Sequence, residues 1–382
     1  MADACDDLSQ PITILVAHWG RTGAGPSISH SLATALAAEP GVRVIVSYNS
    51  ESEIVERWSV FEDRYPIKTY GSILGAILLL PKAAWHAVRL RKIVQRESVD
   101  VVYSPMMQLW FSLFGRFIAG RAVLAESVHD AQQHLGDESR IQAFLWTRAR
   151  DGADAIVTYS TSVADSVRDV VPHGVSVIES RLGADDLGRE VRHLRTASEE
   201  NPHELLLFGR IREYKGLPLF VDAVKLLRRA GYAVHGRIVG DGRVPDGFIE
   251  SSDFITWEIG WVPENAVATV VDEADLVVLP YTEASQSAVL TAAAGLGVPA
   301  VVTPVGGLME QAEELGMACV ASAVNADAVA EAIAVLLTDA RVYETCSARG
   351  LQSSATSMSW AGVARRLLQN FRQEARRKGT QS

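Results

Sequence analysis

Leu205-Leu-Leu-Phe-Gly-Arg-Ile-Arg-Glu-Tyr-Lys-Gly216 and Leu279-Pro-Tyr-Thr-Glu-Ala-Ser-Gln-Ser-Ala288 are two apolar runs, each ending in a loop of small or charged residues that opens a new amphipathic segment. A third, Gly297-Val-Pro-Ala-Val-Val-Thr-Pro-Val-Gly-Gly307, repeats the pattern. In an open parallel sheet this is the edge where ligands bind. An Arg and a Lys in one such loop, with a Ser-rich helix start in another, suit a diphosphate.

Outward from these runs the same rhythm continues. Strands are expected at Leu205–Phe208, Val234–Val239, Phe254–Trp257, Leu276–Leu279 and Ala300–Thr303, alternating with helices near Leu217–Ala230, Asn265–Glu273, Ser287–Gly295 and Ala326–Thr338. The N-terminal half alternates likewise. Its strands are read at Ile12–Ala17, Val42–Ser47, Val99–Tyr103, Ala122–Ala125, Ala155–Tyr159 and Val175–Ile178. Helices fall near Ile28–Ala38, Ala83–Glu97, Leu109–Ala119, Ile141–Arg150 and Val163–Val170. Short continuous apolar runs indicate strands buried on both faces. The fold class is therefore α/β, with two parallel-sheet domains: residues 1–185, and residues 186–356, joined through the polar stretch Gly183–His203. Trp360, Val363, Ala364, Leu367, Leu368 and Phe371 recur at helical spacing behind Ser359, an expected N-cap, so 357–382 is a helix whose apolar stripe needs a surface. The first domain is its expected partner.

Composition bounds the function. The 382 residues fit two cores, 48% hydrophobic and 21% charged content is that of a folded protein, and a net charge of −10 argues against a nucleic-acid partner. Cys5, Cys319 and Cys346 are odd in number and without a Cys-x-x-Cys pair, which points to a reducing compartment with no disulfide framework and no zinc site. The N-terminus lacks the basic-then-apolar order of a signal peptide, and Ile73–Leu80 stops at Pro81, far short of the ~20 residues of a bilayer span. A cytoplasmic protein is expected.

Four loops carry the chemistry. Gly20-Arg-Thr-Gly-Ala-Gly-Pro26 follows the first strand; it is neither a Walker A sequence nor a clean Gly-x-Gly-x-x-Gly, and reads as a ligand loop or as a tight strand–helix turn. His129 and Asp130 sit at a strand end, as cleft residues or as a polar loop, and the His129–His134 spacing does not make a zinc face. Arg210 and Lys215, beside Gly209 and Gly216, could neutralise a leaving diphosphate or form a solvated loop. Gly240-Asp-Gly242 is a turn that can line a base. In Glu283-Ala-Ser-Gln-Ser-Ala288 the N–H groups near Ser285, Gln286 and Ser287 form a phosphate seat at a helix start, with Glu283 toward sugar hydroxyls. Helix capping by Ser285 is compatible with both roles.

Taken together, Phe208-Gly-Arg…Lys215-Gly, Gly240-Asp-Gly and Pro280-Tyr-Thr-Glu-Ala-Ser-Gln-Ser resemble a GT-B glycosyltransferase of the large retaining family 4 (glycosyl transferases group 1), in a Glu-Ala-Ser-Gln-Ser subgroup. The resemblance spans nearly the whole chain and is looser in the N-terminal half. It implies two Rossmann-like domains facing a cleft, with the C-terminal helix crossing back to the first. It also implies that Arg210 and Lys215 hold the donor diphosphate, that Glu283 contacts the donor sugar as the first glutamate of a Glu-x7-Glu element, and that the backbone at Ser285–Ser287 seats phosphate. His129 then stands near the sugar, and Gly23, Ala24 and Gly25 form the loop over the reaction centre. Gly209, Gly240 and Asp241 complete the donor side. The second glutamate of the element falls at Thr291, which departs from the family and leaves ribose recognition open.

The resulting expectation is a retaining transferase that moves a sugar from a nucleotide-diphosphate donor to an acceptor hydroxyl on a polysaccharide, a lipid-linked sugar or a small metabolite. No cofactor beyond the donor substrate and no metal are expected. The alternatives are a non-catalytic nucleotide-sugar-binding subunit, suggested by Thr291, and a GT-B sugar-nucleotide epimerase. Leu109-Trp-Phe-Ser-Leu-Phe114 with Arg116 and Arg121 reads either as a peripheral contact at the inner membrane face or as a buried amphipathic helix.

Overall fold

The computed structural model describes residues 10–130, 140–244 and 253–380. It divides into two compact units, the first ending at Arg181 and taking back Trp360–Ser382, the second running from Leu182 to Ser359.

The first unit is a seven-stranded parallel sheet in the order β3-β2-β1-β4-β5-β6-β7. Its strands are β1 (Ile12–His18), β2 (Val42–Asn49), β3 (Arg64–Ile67), β4 (Val101–Ser104), β5 (Val123–Val128), β6 (Ala155–Thr158) and β7 (Ser176–Glu179). The helices are α1 (Ala24–Ala37), α2 (Ile73–Leu78), α3 (Leu80–Arg96), α4 (Leu109–Ala119), α5 (Arg140–Gly152) and α6 (Thr161–Arg168). The period-two alternation of a strand sends successive side chains to opposite faces. In β1, Ile14 and Val16 join Leu32 and Leu36 of α1 in one core, while Leu15 and Ala17 join Ala87 and Leu90 of α3 in another.

The second unit has a six-stranded parallel sheet, β10-β9-β8-β11-β12-β13. It comprises β8 (His203–Phe208), β9 (Val234–Gly240), β10 (Ile255–Ile259), β11 (Leu276–Leu279), β12 (Ala300–Val302) and β13 (Ala318–Val320). Around it lie α7 (Leu217–Arg229), α8 (Glu264–Asp272), α9 (Ala288–Leu296), α10 (Gly306–Leu315), α11 (Ala326–Thr338) and α12 (Ala340–Ala355). Leu205 and Leu207 pack with Phe220 and Ile333 on one face, and Leu206 and Phe208 with Leu290 and Leu308 on the other. The last helix, α13 (Trp360–Thr380), belongs to the first unit: Val363, Leu367 and Phe371 enter its core, and the Phe371 ring meets Tyr103 at 5.0 Å.

Three differences from the sequence reading have physical causes. Strand β3 contains Pro66, which cannot donate to a ladder and so sits at the sheet edge. Helix α10 opens on Gly306-Gly307, a pattern otherwise typical of loops. The stretch read as a linker is a strap of the second unit. Arg192 N–H donates to Ser347 Oγ at 2.8 Å, its guanidinium Nη2 donates to the Asp272 carbonyl at 2.6 Å, and Ala184 N–H donates to the Met358 carbonyl at 2.7 Å. In α4, Trp110 and Phe111 are buried and Arg116 pairs with Asp154 at 2.8 Å, so of the two readings of 109–114 the core helix is the one found. No described helix is long and apolar enough to cross a membrane. Cys5 and His134 lie outside the described residues.

Candidate functional site

In the second unit the chain proceeds from β8 to β9 and β10 on one side, then from β11 to β12 and β13 on the other. The direction of winding therefore reverses between β8 and β11, a point that opens a crevice at the carboxyl ends of the strands. Gly209–Gly216 leaves β8 at this point and Pro280–Ser287 leaves β11.

Glycine lets these loops touch. Gly216 has φ 68°, and a Cβ there would stand 1.8 Å from the Pro280 carbonyl oxygen. Gly240 has φ 147°, and its Cβ would stand 1.8 Å from the Gly209 carbonyl oxygen. No L side chain fits either place. Backbone bonds complete the joint: Thr282 N–H to the Tyr214 carbonyl at 2.8 Å, and Ile211 N–H to the Asp241 carbonyl at 2.8 Å. Lys215, half-buried, holds its Nζ 3.8 Å from the centroid of the Tyr281 ring and 5.1 Å from that of Tyr214. Arg210 and the Asp241 side chain are exposed beside it.

Beyond β11, Gln311 of α10 clamps the backbone of Ser287. Its Oε1 accepts from Ser287 N–H at 2.8 Å and its Nε2 donates to the Ser287 carbonyl at 3.1 Å. The Ser287 N–H is thus occupied by protein, a difference from the phosphate seat read at Ser285–Ser287. The first turn of α9 that follows has no side-chain cap, and its N–H groups are the ones turned to the crevice end of the helix. Gln286 is 7% exposed, yet its Oε1 and Nε2 are both buried without a partner among the described residues. Orphaned buried amides are rare and call for a ligand or other polar group. Glu283 and Ser285 are half-buried in the same loop. Thr291, 5% exposed, donates from Oγ1 to the Ala288 carbonyl of its own helix at 2.9 Å.

In the first unit, Gly23–Gly25 follows β1 and His129 follows β5, at the same edge of the sheet. Gly23 N–H donates to Glu53 Oε1 at 2.8 Å, which pins the loop, and Ala24 is exposed at the start of α1. His129 Nδ1 lies 2.8 Å from Asp130 Oδ2. Under the glycines lies a residue the sequence reading passed over. His18, the last residue of β1, is 4% exposed, and burial lowers its pKa to about 3, so the ring is neutral. Gln108 Nε2 donates to His18 Nδ1 at 2.7 Å, placing the proton on Nε2. A Cβ at Gly20 would stand 2.6 Å from that Nε2, and one at Gly25 would stand 2.9 Å from Cε1. Both glycines are needed because the ring fills the space beneath them. The sequence signal was present, a histidine at a strand end just before a glycine-rich turn, but nothing in it sets ring orientation. Nor did any signal tie Gln311 to Ser287.

Beside this loop a cavity of about 320 Å³ is walled by Trp19, Tyr70, Met107, Leu109, Trp110 and Leu145, with Arg21, Thr69 and Gln108 as its polar side chains. Among the described residues no group of three His, Cys, Asp or Glu side chains is placed to hold a metal ion.

Two parallel α/β units of this kind define the GT-B architecture, and solved structures agree. Sucrose-phosphate synthase from Thermosynechococcus elongatus superposes with a TM-score of 0.68 at 15% identity, covering 95% of this chain and 98% of that one. Anabaena HepE in complex with UDP-glucose gives 0.66 at 14% identity, covering 97% and 100%. In sequence, residues 202–339 match the family model "Glycosyl transferases group 1". A glycogen synthase of Mycobacterium tuberculosis is 26% identical over 222 residues, 56% of this chain and 52% of the relative. That match spans about half the length of the relative.

Proposed function

We propose that this protein is a retaining glycosyltransferase that moves a sugar from a nucleoside-diphosphate donor to an acceptor hydroxyl. The observation that carries the reading is the joint at the β8–β11 switch point: the loops leaving these two strands hold Lys215 over the Tyr281 ring, the buried Gln286 amide and the uncapped start of α9. The family match over 202–339 supports it, as does the likeness to folds solved with UDP and UDP-glucose.

In this mechanism the bond between the anomeric carbon and the β-phosphate oxygen breaks while the acceptor oxygen bonds to the same face of that carbon. The acceptor proton passes to an oxygen of the departing diphosphate, so no protein base is needed. Lys215 and Arg210 take up the negative charge that develops, helped by the positive end of α9. Gln286 meets hydroxyl or phosphate oxygens of the donor, which would satisfy its amide. Thr291, turned into its own helix, leaves ribose contacts to neighbouring backbone.

Ligand-observed NMR against UDP-, GDP-, ADP- and dTDP-sugars, with slow donor hydrolysis followed in the same tubes, tests this. Selective binding with hydrolysis supports transfer and names the donor. Conversion of the donor into a different sugar nucleotide without acceptor would establish an epimerase instead. Binding of no donor at all would remove the reading.

A further inference from the structure

The face of the first unit built by α2 and α3 takes no part in that chemistry, and its composition is unlike the rest of the chain. Residues 73–96 hold Lys82, Arg89, Arg91, Lys92 and Arg96 and no Asp or Glu, in a protein of net charge −10. Ala83, Ala87, Leu90, Ile93 and Val94 turn into the core. The opposite side is apolar and open: Leu74 is 67% exposed, Ile77 58%, Leu78 70% and Trp85 58%, with Val88 also exposed. Single exposed apolar residues are ordinary, but a run of them at helical spacing in each of two consecutive helices marks a contact surface.

On the second helix the cations are interspersed with the apolar residues. On a helix, residues 82, 85, 88, 89 and 92 share one side, and the Arg89 guanidinium lies 5.8 Å from the Trp85 ring centroid. Arg89 and Lys92 form no ion pair among the described residues, while Lys82 lies within electrostatic reach of Glu51. Arg91 instead turns to the Phe117 ring at 4.9 Å and belongs to the unit itself.

We propose that this face docks the protein onto an anionic lipid surface. An interfacial helix buries Trp and Leu at the headgroup boundary while Lys and Arg meet lipid phosphates, and each basic residue adds attraction to a negative leaflet. A second copy of this chain fits the face poorly, because a two-fold contact would set Arg89 and Lys92 against the same cations of the other copy. The cavity borders the docking helices, since Trp110 in its wall donates from Nε1 to the Ala76 carbonyl of α2 at 3.0 Å. On the transferase reading, on which this clause rests, the cavity then receives an acceptor carried in the bilayer, its apolar portion against Trp19, Tyr70 and Trp110.

The test is co-sedimentation of the full chain, without nucleotide sugar, with vesicles of phosphatidylcholine alone or with phosphatidylglycerol added. Binding to the anionic vesicles that weakens with salt is expected. The triple variant Lys82→Gln, Arg89→Gln, Lys92→Gln should bind them about a hundredfold more weakly, and Trp85→Ser about tenfold more weakly. Arg89 and Lys92 are exposed and Lys82 is half-buried, and thermal melts followed by circular dichroism check that each variant folds. Failure of the wild-type chain to sediment with anionic vesicles overturns the proposal, as does a triple variant that binds like wild type. A dimer in analytical ultracentrifugation that Trp85→Ser dissolves overturns it in favour of self-association. Donor binding, measured separately, keeps the two readings apart: loss of vesicle binding with donor binding intact removes only the docking.

Discussion

The Lys215 ammonium sits 3.8 Å from the centroid of the Tyr281 ring, and this contact joins the loops that leave β8 and β11. A cation over an aromatic face contributes about 0.5–1 kcal/mol at a partly exposed site. The lysine is therefore positioned by the ring far more than it stabilises the fold. Lys215→Ala should lower unfolding free energy by no more than about 1 kcal/mol, yet reduce donor turnover about 10²–10³-fold through lost stabilisation of the leaving diphosphate. Turnover near the wild-type value, with the variant folded, would refute the assigned role.

Gln286 gives a test in which stability and function move in opposite directions. Its two unpartnered amide atoms are buried, at a cost of about 1–3 kcal/mol each where no other group meets them. Replacing the amide by an apolar side chain of similar size removes that cost. Gln286→Leu should melt higher than wild type without ligand, by the equivalent of about 1–2 kcal/mol, while its donor affinity falls at least about tenfold. A variant that gains no stability, or binds donor normally, would place the amide outside the site.

How much of this was legible beforehand depends on what each residue's role requires. The strands announced themselves: Leu276–Leu279 and the helices Leu109–Ala119 and Ala326–Thr338 fall where the apolar runs place them, because burial on both faces demands continuous hydrophobic sequence. The ligand-edge loops were legible for a related reason, since the close approaches at Gly216 and Gly240 admit only glycine. What stayed hidden was pairing across the chain. Gln311 lies 24 residues from Ser287, and Gln108 lies 90 from His18; one-dimensional pattern carries no information on which side chain meets which backbone. The basic, apolar face of α2 and α3 was hidden differently. Its run Ile73–Leu80 was measured against a bilayer span, whereas exposure, which only packing decides, is what gives it meaning.

The glycine loop over His18 predicts an inverted helix-propensity effect. Gly25 lies in the first turn of α1 at an ordinary φ, where Gly→Ala normally gains up to about 1 kcal/mol. Here the new methyl would meet His18 Cε1 at 2.9 Å, and the ring is buried and held by Gln108. Gly25→Ala should therefore destabilise the protein by about 1–3 kcal/mol. Removing the ring should relieve it, so the pair Gly25→Ala and His18→Ala should couple by at least about 1 kcal/mol in a double-mutant cycle. Additive effects in urea unfolding would show that the ring does not support the loop.

Glu126 predicts a pH dependence of a particular sign. It is 1% exposed in the middle of β5, its nearest polar partner the Ser112 hydroxyl at 3.4 Å, and burial raises its pKa from 4.5 to about 7. Between those values the folded state holds a proton that the unfolded chain has released, so this residue's contribution to stability is present below about pH 4.5 and is lost as pH rises to about 7. Several buried histidines, His18 among them, have lowered pKa values and act in the opposite sense, so the whole-protein profile mixes the two. The difference between wild type and Glu126→Gln isolates the carboxyl group. The amide fills the same space without ionising, and its advantage in melting temperature over wild type should be small near pH 5, grow up to about pH 7 and level off above it. A difference that stays constant across that range would mean that Glu126 titrates in the folded protein as it does in the unfolded chain.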